Sequence, residues 1–145
     1  MQRVARAEVR VEDEVTGRIA SGLLVLLGVK QDDAPSAAQY IAEKIAGLRI
    51  FPDEQGRMDR SVLEAGGAVL VVSQFTLFGD ARKGRRPSYT RAASGALAVE
   101  RYEEVCTALR GLGLRVETGR FGAHMNVEMI GDGPVTILLD SEKGF

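Results

Sequence analysis

The chain has 145 residues, of which 45% are hydrophobic and 27% charged, with a formal net charge of -1. That length suits one domain, 1–145, able to bury roughly two-thirds of its unfolded surface without a disulfide or metal staple, and the balance of charge excludes a globally basic nucleic-acid binder. The lone cysteine, Cys106, excludes an intramolecular disulfide and favours a reducing compartment, taken as the cytoplasm.

The first third reads as strands. Val4, Val9 and Val11 stand among charged residues, Val15 to Ile19 follows the turn-prone Glu12-Asp13, and the run GLLVLLGV (22–29) is apolar on both faces, as a covered central strand requires. The chain opens as strand and not as a charged segment leading into an apolar one, and its aliphatic runs are too short for a bilayer, so no membrane association is expected. PSAAQYIAEKIAGL then changes period: Ser36 and Gln39 have capping-box spacing, and Tyr40, Ile41, Ile45 and Leu48 share a helical face. Residues 49–58 predict a short strand and a turn through Pro52, Asp53 and Gly56. After Gly66-Gly67 comes AVLVVSQFTLF, read as strand to its end. The following GDARKGRRPSYTR (79–91) carries Arg82, Lys83, Arg85, Arg86 and Arg91 against the single acid Asp80. From Ser94 a helix returns, with Val99, Tyr102, Cys106 and Leu109 on one face and a stop at Gly111 and Gly113. Strands at 114–118, 125–129 and 135–139 complete the chain, the last two read as a hairpin about the turn GDGP. The class is α+β, a mixed or antiparallel sheet with two principal helices.

Conventional catalytic groups are few. One histidine and one cysteine cannot by themselves form a His/Cys zinc site, and Asp32-Asp33, Asp53-Glu54 and Glu103-Glu104 fall where solvated carboxylates belong, so neither metal nor cofactor is expected. GLGLRV follows a helix instead of a strand, which makes it a helix stop and not a dinucleotide loop. His124 has no local serine partner and reads as a partly exposed strand residue. The notable feature is VVSQFTLF (71–78), an apolar strand that turns polar at Ser73, Gln74 and Thr76 around Phe75. Those groups either satisfy neighbouring backbone or hold a ligand at a rigid strand end beside an aromatic wall. In GDGPVT (131–136), Gly133 permits close approach of another molecule, and the Gly133-Pro134 bond is of the type that can be cis.

SQFTL at 73–77 together with GPVT at 133–136 resembles the paired signature of the D-aminoacyl-tRNA deacylases. The likeness extends through QRVARAEVRVEDEVTGRIASGLLVLLGV, GLRIFPDEQGRM, RRPSYTRAA and FGAHM, in that family's order. It implies a homodimer with a barrel-like assembly and active sites at the subunit interface. Gly133-Pro134, as a Gly-cis-Pro motif, would enter the partner's pocket, where its carbonyls hold the substrate amino group and an L side chain collides. Glycine, lacking a side chain, escapes such a filter, so glycyl-tRNA is a further expected substrate.

The implied reaction is hydrolysis of the ester joining a D-amino acid to the terminal adenosine of tRNA, assisted by the ribose 2′-hydroxyl, as chiral proofreading in translation. Gln74, Phe75 and Thr76 are then the catalytic segment, with main-chain N–H groups near Phe75 facing the developing oxyanion. Ser73, Met125, Gly133, Pro134 and Thr136 are substrate-binding, Met125 as a wall of the adenine pocket. Arg82, Lys83, Arg85 and Arg86 are assigned to phosphates of the acceptor stem; no DNA partner is expected. Three departures from the family stand out: Gly131 replaces a common Asn, His124 a common acidic residue, and the chain begins a few residues into the family's first strand. Two alternatives compete, a hydrolase using Thr76 or Ser73 as nucleophile and a tRNA-binding module without turnover.

Overall fold

The computed structural model describes all residues, 1–145. In chain order the elements are β1 (Gln2–Val11), β2 (Glu14–Ile19), β3 (Gly22–Leu27), α1 (Pro35–Gly47), β4 (Phe51–Pro52), β5 (Met58–Arg60) and β6 (Ala68–Ser73). They continue with a 3-10 turn (Phe75–Phe78), α2 (Gly95–Gly111), β7 (Val116–Thr118) and β8 (Asn126–Thr136). The main sheet runs β2-β1-β3-β6-β7, with β8 on the free side of β1, and β4-β5 form a small ribbon. Pairing of β6 with β3 and β7 is parallel and the rest is antiparallel, so the sheet is mixed as expected.

Period-two alternation sorts the strands' side chains to two cores. Leu23, Val25 and Leu27 of β3, with Val69 and Val71 of β6, meet Ala38, Ala42 and Ile45 of α1 and Tyr102, Val105, Cys106 and Leu109 of α2. On the other face Val4, Ala7, Val9, Ile19, Leu24, Ala68, Leu70 and Val72 fill the inside of a nearly closed barrel. Gly17 lets the sheet curl: a Cβ there would stand 2.3 Å from the Thr118 carbonyl oxygen, so only glycine allows β2 this near β7. Under the sheet the Tyr102 hydroxyl donates to Val71 O at 2.8 Å, and burial pushes the neighbouring Cys106 thiol up to about 11. No helix is long and apolar enough to cross a membrane.

Several local expectations are corrected. Pro35 occupies the first turn of α1 and Ala34 is the N-cap, without a side-chain cap, so Ser36 lies inside the helix and Gln39 bonds Glu43 at 2.7 Å instead of closing a box. The buried face of α1 is Ala38, Ala42 and Ile45, with Tyr40 and Ile41 half-buried and Leu48 beyond the helix. In α2, Ala98 and Val105 are buried and Val99 is exposed. Small residues let the helices approach, and a count of large side chains misplaces the face. The final hairpin does not form: the first predicted strand falls almost wholly in β8 and the second adds only Val135 and Thr136 to that same strand, with 137–139 outside any strand, because residues 126–131 and Thr136 pair with one partner, β1.

Candidate active site

The polar end of β6 is not strand. Ser73 is the last strand residue, paired with Leu27, and Gln74 N–H gives a final bond to Leu27 O at 2.8 Å. Beyond that point β3 has ended and β7 reaches only to Val71 through Thr118, so neither neighbour offers a ladder. The backbone satisfies itself by a 3-10 turn, with Leu77 N–H on Gln74 O at 3.3 Å and Gly79 N–H on Thr76 O at 2.9 Å. The expected alternation of faces from Ser73 to Thr76 is thereby lost. Phe75, Thr76 and Leu77 project from the surface, and the N–H groups of Phe75 and Thr76 precede the turn's first internal bond. Gln74 Nε2 donates to Thr76 Oγ1 at 2.7 Å, a local tie between two of the predicted catalytic residues. Phe78 anchors the turn against Gly28, where a Cβ would meet its ring at 2.9 Å.

A closed loop follows. Asp80 and Ser88 exchange backbone bonds of 2.8 and 2.9 Å, pinching off residues 81–87, all exposed. The Asp80 carboxylate accepts from Arg82 N–H at 3.0 Å and Nε at 2.8 Å, and these bonds hold its carboxyl well below the usual carboxylate range. Arg82 is therefore internally compensated, whereas Lys83, Arg85 and Arg86 enter no ion pair. Tyr89, just past the pinch, meets Phe75 edge to face with ring centroids 5.2 Å apart.

The second predicted half of the site is a bulge in β8. Gln2 pairs with Thr136 and Val4 with Gly131, so residues 132–135 have only Arg3 opposite them. The Gly133-Pro134 bond is cis, and Gly133 has φ +131°, a conformation that suits glycine. Arg3 braces the bulge: its Nε donates to Asp132 O at 3.1 Å and lies 3.2 Å from the Asp132 carboxylate, and its Nη1 donates to Ile50 O at 2.7 Å. With glycine at position 131, the side-chain support of this loop comes from the opposite strand. Sequence reading missed Arg3; its signal was a charged residue placed directly before Val4, which is fully buried.

Within one chain the two halves do not meet, since β1 and β3 lie between β8 and β6. Thr136 is exposed at the end of β8. Met125 is half-buried against the barrel core, with Gly119 beside it bonding Val71 O at 3.3 Å, near the end of β6. His124 is exposed outside any strand and makes no hydrogen bond to a hydroxyl or carboxylate, so no triad is assembled. A cavity of about 900 Å³ opens behind the turn, lined by Leu77 and Phe78 on one side and Thr136 and Leu138 on the other, and excludes Ser73 to Thr76 and Pro134 from its wall. The predicted reacting residues instead face open surface. The outer strand β8 also leaves apolar side chains exposed along an unpaired edge, Val127 and Met129 on one face and Ile130 on the other.

Comparison with known proteins gives a consistent answer. Residues 1–140 match the family model described as D-Tyr-tRNA(Tyr) deacylase. A D-aminoacyl-tRNA deacylase of Symbiobacterium thermophilum is 60% identical over 145 residues, covering all of this chain and 96% of that protein; one from Koribacter versatilis is 61% identical and covered to 97%. The solved structure named c-Myc DNA Unwinding Element Binding Protein superposes with a TM-score of 0.89 at 38% identity, over 96% of this chain and 95% of its own. A probable eukaryotic D-amino acid tRNA deacylase superposes at 0.78 over 92% of each chain; at 18% identity it shows the fold alone. The chain belongs to the D-Tyr-tRNA(Tyr) deacylase family.

Proposed function

We propose that the whole chain acts as one deacylase domain that cleaves D-aminoacyl-tRNA at the turn following β6, in a homodimer whose second copy completes each site. The observation that carries this reading is the turn itself. It presents the Phe75 and Thr76 amides ahead of its first internal bond, beside an exposed aromatic ring, with no nucleophile paired to a base. Such a site suits chemistry in which electrostatic stabilisation and positioning dominate. Water attacks the ester carbonyl, negative charge gathers on the carbonyl oxygen facing the amides, and the bond to the ribose oxygen breaks. That oxygen takes a proton, leaving free D-amino acid and tRNA. The neighbouring ribose 2′-hydroxyl assists the attack in place of a protein side chain.

The separation of the bulge from the turn, and the exposed apolar side chains on β8, support completion by a second subunit. In the assembled site Gly133 and Pro134 of one copy face the turn of the other, where a side chain of L configuration collides and a D side chain or the hydrogen of glycine does not. Ser73, Met125 and Thr136 then serve substrate binding, and the 81–87 loop approaches acceptor-stem phosphates with Lys83, Arg85 and Arg86, with Arg82 shaping the loop through Asp80. The cytoplasm, where translation takes place, is the proposed location.

Matched D-tyrosyl-tRNA and L-tyrosyl-tRNA, offered to catalytic amounts of protein, test the proposal. Rapid loss of the D ester with the L ester spared is expected. Cleavage of both removes the chiral filter, and binding without cleavage removes the turn as a reacting centre. A terminal 2′-deoxyadenosine substrate is expected to be nearly inert, and undiminished cleavage of it would return the chemistry to a side chain.

A further inference from the structure

Phe75 sits 57% exposed at the head of a four-residue turn that has no fully buried residue and only the half-buried Phe78 to anchor it. An aromatic ring in that position has many rotamers open to it unless something holds it, and the amides beside it share its backbone. Tyr89 touches both ends of the turn. Its ring meets Phe75 at 5.2 Å and 76°, and it also lies over Gly79, where a Cβ would stand 3.0 Å from Tyr89 Cε1. The backbone that carries Tyr89 is itself fixed. Ser88 pairs with Asp80, Ala92 N–H donates to Tyr89 O at 3.0 Å, Gln31 reaches Thr90 O at 2.7 Å and Arg91 O at 3.1 Å, and Ala93 N–H donates to Val29 O at 2.8 Å. The ring is therefore mounted on the same strand end, 29–31, that continues from β3.

We infer that Tyr89 is a positioning residue for the hydrolysis, its ring bracing the Phe75–Gly79 turn so that the Phe75 and Thr76 amides are held toward the ester carbonyl. This rests on the turn being the reacting centre. The ring performs this role and the phenolic hydroxyl does not, since no hydrogen bond engages that hydroxyl. Tyr89 lies one residue past the pinch that closes the basic loop, so the same side chain gives the loop and the turn a common mount.

The test uses the full chain with Tyr89→Ala and Tyr89→Phe, on D-tyrosyl-tRNA and on the adenosine ester of D-tyrosine, which lacks the phosphate chain. For Tyr89→Ala, kcat falls about tenfold on both substrates, the scale of one aromatic pair lost, with KM for the adenosine ester nearly unchanged. Tyr89→Phe restores kcat to within about twofold. The amide resonances of Phe75 and Thr76 shift in Tyr89→Ala and hold in Tyr89→Phe. Unchanged kcat in folded Tyr89→Ala, or a Tyr89→Phe protein as slow as Tyr89→Ala, overturns the inference. If the wild-type protein cleaves neither ester, the placement of the reaction at the turn has failed. The resonances then decide the bracing on their own, and amides unmoved in Tyr89→Ala overturn it.

Discussion

Arg3 holds Asp132 across the strand pair: one guanidinium bonds the Asp132 carbonyl at 3.1 Å, lies 3.2 Å from its carboxylate, and reaches the Ile50 carbonyl at 2.7 Å. The Arg3 side chain is 11% exposed and so has little water to fall back on, whereas the Asp132 side chain is half exposed. Arg3→Ala is expected to lower stability by about 2 kcal/mol, seen as a fall in thermal midpoint of about 4–8 °C. It should also reduce the preference for D over L esters, because the loop that carries Gly133 and Pro134 loses its brace. Arg3→Lys should recover only part of either, since an ammonium cannot serve both directions with a planar fork. A D-to-L rate ratio unchanged in Arg3→Ala would separate the brace from the filter.

The loop 81–87 divides its charges into used and unused. Arg82 is already bonded to Asp80, while Lys83, Arg85 and Arg86 have no acidic partner. If the loop meets phosphates, replacing Arg85 and Arg86 together by Ala should weaken tRNA binding and lower its logarithmic salt slope by about two. Arg82→Ala should change the slope by much less, since a guanidinium already bonded to Asp80 has few donors left for a phosphate. Titrations of tRNA at several salt concentrations check this, and equal slopes for all three proteins would remove the loop from the interface.

What the sequence disclosed followed from how local each signal was. The covered strand 22–27 was legible because every second residue on each face is apolar, and Gly133-Pro134 because its backbone chemistry is carried by the two residues themselves. The turn at Phe75 was not, since Phe, Thr and Leu all suit a strand. The strand stops because its neighbours β3 and β7 stop, which is a tertiary fact. The hairpin reading failed for a similar reason. Asp-Gly near a proline is a good turn signal, but β1 is long enough to pair on both sides of it, and pairing turned a predicted reversal into a bulge. Arg3 and Tyr89 were missed because their partners stand 129 and 14 positions away, at Asp132 and Phe75.

Glu8 gives a pH dependence with a defined sign. It is buried in β1 between Arg18 at 2.5 Å and Arg10 at 2.7 Å, and the Arg18 hydrogen bond is the largest cause of its lowered pKa, against the opposing effect of burial. Across β1 it faces Glu128 of β8, a like charge that the arginines offset. Because the folded value lies below the ordinary 4.5, the contribution is present above that pH and is lost as pH falls through the folded value. Glu8→Gln should therefore melt below wild type at about pH 7, and the gap between the two midpoints should narrow as pH is lowered from there through the folded value. A constant gap across that range would show that Glu8 matters through packing and not through its charge.

Thr76 separates the two hydrolytic chemistries. Its hydroxyl accepts from Gln74 Nε2 at 2.7 Å, and no hydrogen bond links it to His124 or to a carboxylate that could take its proton. A threonine so placed orients its neighbour but is not activated for attack. Thr76→Ala is expected to slow D-tyrosyl-tRNA cleavage by about tenfold or less, the scale of one exposed hydrogen bond. A nucleophile's removal costs at least about a thousandfold and abolishes any burst of covalent enzyme. Single-turnover measurements with Thr76→Ala, Ser73→Ala and the double variant distinguish these outcomes. Modest losses in all three leave the turn's amides and the substrate's own ribose hydroxyl to carry the reaction, whereas a collapse confined to one hydroxyl assigns it the attack.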